Sequence, residues 1–131
     1  MKLLHRLLGK KAEPSFPFFI EKPVRALTDN ERSVVARLLH DVQGSYAYQV
    51  PTLQVVGRCG CGRCPTIFFE KPLPGVSETD LSTYAGRDET EGLVAAVLLQ
   101  SNGRLSQLEF YSIDGHDPWF APRAEALAPY A

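Results

Sequence analysis

No stretch of this sequence approaches the ~18 consecutive apolar residues that a membrane-spanning helix needs. Net charge is equally scarce. The 14 Lys and Arg stand against 15 Asp and Glu, leaving −1, which is too little for a field that gathers nucleic acid or an anionic membrane. Neither kind of partner is expected. Cysteine is rare and odd in number, three in 131 residues, so no disulfide framework is expected. Internal repeats, low-complexity tracts, nucleophile motifs and phosphate-binding loops are all missing, and nothing in the pattern calls for catalysis. The opening Met-Lys-Leu-Leu-His-Arg-Leu-Leu resembles a secretory signal only superficially. His5 and Arg6 interrupt an apolar run that must be ~7–15 residues long, and a cytoplasmic location is expected.

What remains is ordinary globular composition, 44% hydrophobic and 22% charged, in a length that suits one domain, 1–131, with one core. Charge is unevenly spread along it. Residues 1–64 hold ten Lys and Arg against five Asp and Glu, whereas residues 65–131 hold four against ten. Such halves can form opposed faces or interleave in space.

Helix signals sit toward the front. Residues 2–9 can make a short helix with Leu4, Leu7 and Leu8 on one face. Residues 12–26 carry Pro14, Pro17 and Pro23, which forbid regular helix, and read as a Pro/Phe strap across the body; residues 1–26 thus form one segment. Residues 27–50 are a capped helix region. Thr28 with Glu31 three residues on is a capping box, Val34, Val35, Leu38 and Leu39 make an apolar stripe, and Gly44 marks a stop.

Strand signals fill 51–113. Residues 52–58 and 65–70 flank a six-residue loop and suggest an antiparallel hairpin. A short strand is expected near 81–84. The run Leu93-Val-Ala-Ala-Val-Leu-Leu-Gln100 and its return 105–113 bracket Asn102-Gly103, the strongest short-range hairpin signal. A plain two-residue turn would set Leu99 opposite Ser106, Val97 opposite Leu108 and Ala95 opposite Phe110. That face would be core, while Leu98, Ala96 and Val94 would lie on an amphipathic face open to solvent or a partner. Residues 114–131 form a C-terminal tail. The expected fold is therefore α+β, with N-terminal helices packed on one face of a mainly antiparallel sheet of about four strands.

Chemistry concentrates in Gly57-Arg-Cys-Gly-Cys-Gly-Arg-Cys-Pro65. Cys59, Cys61 and Cys64, at C-x-C-x-x-C spacing, can converge on one soft cation, and zinc suits thiolate donors. Arg58 and Arg63 are expected to favour thiolates. A structural zinc takes four ligands, and His116, Asp114, a water or a second subunit would have to supply the fourth, His116 being the named candidate. A Gly-rich structural hairpin and a redox-sensitive turn remain alternatives. The second polar cluster, Asp114, His116 and Asp117, reads as a general base or metal ligand, or simply as a turn.

Residues 55–66, Val-Val-Gly-Arg-Cys-Gly-Cys-Gly-Arg-Cys-Pro-Thr, are similar to a Gly-Arg-Cys-Gly-Cys…Pro-Thr block found in a family of small uncharacterised bacterial proteins. Residues 104–115, Arg-Leu-Ser-Gln-Leu-Glu-Phe-Tyr-Ser-Ile-Asp-Gly, resemble that family's second block. The cysteines are closer together in the family, so Arg63 stands as an insertion here. The resemblance implies no catalytic residue. Three functions are consistent with these features: a non-enzymatic module that binds a protein partner, a small zinc-binding protein using the cysteine loop, and an enzyme working around His116 and Asp114.

Overall fold

A computed structural model describes residues 18–130. The helix expected over 2–9 and the first part of the strap lie outside those residues. Strand β1 (Phe19–Ala26) opens the described chain, followed by helix α1 (Asp29–Leu38), a 3-10 helix (Tyr46–Thr52), β2 (Gln54–Cys59), β3 (Ile67–Phe68), β4 (Thr79–Arg87), β5 (Leu93–Ser101) and β6 (Arg104–Ser112). A 3-10 turn (Ala124–Ala126) and β7 (Ala128–Pro129) close it.

The seven strands form one sheet in the order β1-β2-β3-β6-β5-β4-β7, with every neighbouring pair antiparallel. This corrects the expectation of N-terminal helices on a sheet of about four strands. The fold is mostly sheet, a strand precedes the helix, and α1 is its only α-helix among the described residues.

The discrepancy has local causes. Pro23 made 12–26 read as an irregular strap, yet residues 19–26 form an edge strand. An edge strand tolerates proline because one side of its backbone has no ladder to serve, and the β1–β2 register shifts between Glu21 and Arg25 to accommodate it. β7 is two residues long and carries no periodicity to read; β4 extends the short strand expected at 81–84 to Thr79–Arg87.

Helix α1 begins as its sequence dictates. Thr28 accepts from the Glu31 N–H (3.1 Å) and its own N–H donates to the Glu31 carboxylate (2.8 Å), satisfying donors that a helix start leaves free. Arg25 from β1 adds a two-pronged pair to the same carboxylate at 2.9 and 3.0 Å. These contacts hold the Glu31 carboxyl below its usual range against the opposing effect of burial. Val34, Val35 and Leu38 are fully buried against Ile67, Val94, Ala96, Leu98, Leu105, Leu108 and Phe110 of the sheet.

The β5–β6 hairpin turns at Asn102-Gly103, with both residues at positive φ (53° and 79°), as a type I′ turn requires. Ser101 faces Arg104 and Gln100 faces Leu105, but Leu99 then faces Gln107 and Leu98 faces Leu108. Ser106 is the extra residue of a β-bulge. One inserted residue inverts the pairing beyond it, which overturns the expected faces. Val94, Ala96 and Leu98, placed on the amphipathic side by a plain turn, are completely buried beneath α1. The bulge also has a use: the Ser106 carbonyl accepts from the Phe69 N–H (2.9 Å), prolonging the contact of the very short β3 with β6.

On the opposite face Phe68 is fully buried. Phe18 and Phe19 meet its ring edge-on, with centroids 5.5 and 5.0 Å away, a favoured aromatic geometry. Gly57 makes this possible. A Cβ there would enter the Phe19 ring and stand 2.7 Å from the Ile20 carbonyl oxygen. Gly57→Ala should therefore cost about 2–3 kcal/mol, the upper part of the overpacking range, and chemical denaturation should show it as a lower midpoint with unchanged slope. A variant as stable as the parent would show that β1 does not seat on β2 in this way.

Candidate metal centre

Cys59 is the last residue of β2, and Cys61 and Cys64 follow in the loop that leads to β3. The hairpin expected from 52–58 and 65–70 is present, with Gly57 opposite Phe68 and Arg58 opposite Ile67. Cys59 is held in place by its own ladder, opposite Phe19, and by its N–H to the Thr66 carbonyl (3.4 Å). Gly60 donates to the Phe18 carbonyl and Gly62 to the Cys59 carbonyl, each at 3.4 Å. Gly62 takes φ +75°, a left-handed conformation in which glycine avoids the Cβ clash of other residues.

The far end of the loop is fastened by Thr66, a residue to which the sequence pattern gave no role beyond its place in the Pro-Thr block. Its hydroxyl accepts from the Phe110 N–H (2.9 Å) and lies 3.3 Å from the Phe110 carbonyl, and the side chain is buried. One hydroxyl thus serves both backbone groups of a β6 residue just before β3 starts its ladder.

The three sulfurs meet. The Sγ atoms of Cys59, Cys61 and Cys64 all lie within 4.8 Å of one another, and those of Cys61 and Cys64 are 3.3 Å apart. All three are free thiols of intermediate exposure. The backbone N–H groups of Arg63 and Cys64 point at the Cys61 sulfur from 3.3 and 3.2 Å. This is what a C-x-x-C turn provides, two amide dipoles aimed at the first sulfur.

The electrostatic result differs between the cysteines. Burial pushes the Cys59 thiol up to about 12. Burial opposes ionisation of Cys61 as well, but the N–H groups of Cys64 and Arg63 outweigh it and bring that thiol down to about 7. Arginine side chains were expected to favour all three thiolates. The groups that favour ionisation of Cys61 are instead these backbone amides first and then the thiols of Cys64 and Cys59, and the Arg63 guanidinium pairs with Asp117 at 3.2 Å.

That ion pair brings the 114–118 turn alongside the cysteine loop. His116 is exposed, and its side chain packs against Gly92, where a Cβ would stand 3.0 Å from its own Cβ. It is not among the residues whose ligand atoms converge. Asp114 accepts from the His116 N–H (3.1 Å) and the Leu93 N–H (3.2 Å) and pairs with Arg87 at 3.4 Å. The His116 amide is the chief cause of its lowered carboxyl pKa. The carboxylate is thus engaged in shaping the turn, and what joins it to His116 is a backbone amide.

A residue of importance that carried no expectation is Asp88. It is 5% exposed and accepts four hydrogen bonds. The Thr90 N–H (2.8 Å), Thr90 hydroxyl (2.7 Å) and Gly92 N–H (2.9 Å) converge on one oxygen, and the Phe120 N–H (2.6 Å) reaches the other. Burial disfavours its charge, yet these donors prevail and hold the carboxyl down to about 2. Asp88 closes the β4–β5 turn and ties residues 118–120, next to the turn that meets Arg63, onto it. The signal available in the sequence was Asp88-Glu-Thr90, an Asp whose side chain bonds backbone two residues on.

No family model, curated protein or solved structure matches the chain. No helix among the described residues is long and apolar enough to cross a membrane.

Proposed function

We propose that this is a metal-binding protein that holds one zinc ion through the thiolates of Cys59, Cys61 and Cys64. The observation that carries the reading is the convergence of the three sulfurs within 4.8 Å, from a strand end and a turn that are each fixed by independent backbone contacts. Three thiolates suit zinc among the common divalent ions by ligand softness, and the N–H donors at Cys61 offset negative charge that builds up on a metal–thiolate group. His116 is the proposed fourth ligand, since the Arg63–Asp117 pair holds its turn beside the loop; to ligate, its ring must leave Gly92.

A site of this kind supplies folding energy and stiffens an exposed loop. That accords with a non-enzymatic role in which the stiffened hairpin meets a protein partner. Cobalt(II) substitution tests the site. An intense thiolate-to-cobalt charge-transfer absorption with strong tetrahedral d–d bands is expected, and His116→Ala should alter the d–d bands while the charge-transfer absorption stays. A weak octahedral spectrum without charge transfer would contradict thiolate ligation.

A further inference from the structure

Oxidation would act unequally on these three sulfurs. In a tetrahedral zinc site with Zn–S near 2.3 Å, neighbouring sulfurs stand roughly 3.8 Å apart, and in a disulfide they stand about 2.05 Å apart. Cys61 and Cys64, at 3.3 Å, lie between the two. Both belong to one short turn with Gly62 at positive φ between them, so their sulfurs can close without moving a strand. Cys59 cannot follow as readily. It is the final residue of β2, paired opposite Phe19 and bonded to Thr66.

From this we infer a redox-controlled metal site, in which Cys61 and Cys64 close as a disulfide and the metal leaves. The inference rests on the metal reading above. The oxidant is hydrogen peroxide. One sulfur of the pair, as thiolate, attacks a peroxide oxygen; the S–O bond forms, the O–O bond breaks, and hydroxide departs to become water. The second thiolate then displaces the sulfenic oxygen, forming the S–S bond, and the hydroxide it expels takes a solvent proton to become a second water. Two zinc-bound thiolates, one peroxide and two solvent protons thus give one disulfide, two waters and free zinc. Two of the three thiolate ligands are consumed, and Cys59 with His116 does not retain the ion. Thiol reductants reverse the step.

The test uses the full chain loaded with zinc, treated with equimolar to tenfold hydrogen peroxide. Released zinc is read with a chromogenic chelator, and alkylated peptides are mapped by mass spectrometry. The expected result is one zinc released per disulfide, a Cys61–Cys64 link with Cys59 alkylated, and recovery of zinc binding after dithiothreitol. Cys59→Ser, examined metal-free, should still form the link, whereas Cys64→Ser should not. Zinc retained with Cys61 and Cys64 still alkylatable would overturn the inference. So would release accompanied mainly by a Cys59 linkage or by irreversible sulfinic acid. A starting protein that takes up no zinc would overturn the metal reading itself, an outcome visible before any oxidant is added.

Discussion

Cys61→Ser is expected to lose zinc affinity by at least about 100-fold, since changes outside the ligand set alone cost about 10–100-fold. Cys61 occupies a particular place in the centre. Its sulfur lies 3.3 Å from that of Cys64 and receives both amide donors of the turn. Serine keeps the size but substitutes a hydroxyl that does not ionise near neutral pH and is a harder donor. Stability should follow affinity through linkage. With free zinc at 100 times the dissociation constant, binding stabilises the parent by about 2.7 kcal/mol, and the variant should gain almost none of this. With chelator present, parent and variant should melt together, because the loop is otherwise held by Thr66, Phe18 and the β2 ladder. Isothermal titration with zinc and thermal melts with and without chelator make the comparison. Equal affinities in parent and variant would remove Cys61 from the centre. A variant already unstable in chelator would assign the cysteine a packing role.

Asp88→Ala should be strongly destabilising. It strands three backbone N–H groups, those of Thr90, Gly92 and Phe120, and leaves the Thr90 hydroxyl only the Pro118 carbonyl as acceptor. Hydrogen bonds to a charged acceptor contribute about 1.5–3 kcal/mol each, and buried donors left without partners cost about 1–3. Relaxation and water entry reduce the sum, and a net loss of about 3–4 kcal/mol is expected, a large part of the ~5–15 that stabilises a domain. Asp88→Asn preserves the oxygen that takes three of the bonds but turns an N–H₂ toward the Phe120 N–H, and should cost about half as much.

The pH dependence has a definite sign. The folded carboxyl is held down to about 2, below the ~3.9 of an unfolded aspartate, so the unfolded chain binds the proton more readily. The contribution of Asp88 is complete above about pH 4 and is lost as pH falls through about 2. Urea midpoints between pH 2 and 5 should fall less steeply for Asp88→Asn than for the parent. Parallel slopes would show that the folded state does not hold the Asp88 carboxyl below its unfolded value.

What the sequence disclosed depends on how local each signal was. The capping box at Thr28 and Glu31 and the Asn102-Gly103 turn need only neighbouring residues, and both stand as expected. The C-x-C-x-x-C cluster belongs with them, because turn geometry alone brings Cys61 and Cys64 together and one further strand residue brings Cys59. The sheet departs from the sequence pattern where its signals are non-local. β1 carries a proline that only an edge position excuses, and β7 is too short to show alternation. The β5–β6 faces invert because the bulge at Ser106 in β6 leaves no mark in the sequence, and the apolar run of β5 reads equally well in either register. Asp88 is not legible locally because its fourth donor, Phe120, is thirty-two residues away.

Metal content, determined together with the number of reactive thiols on untagged protein purified without chelator, tests the central claim most directly. One zinc per chain is expected, with Cys59, Cys61 and Cys64 protected from thiol reagents until chelator is added. Protein free of metal that takes up none from added zinc, with all three thiols reacting freely throughout, would contradict it.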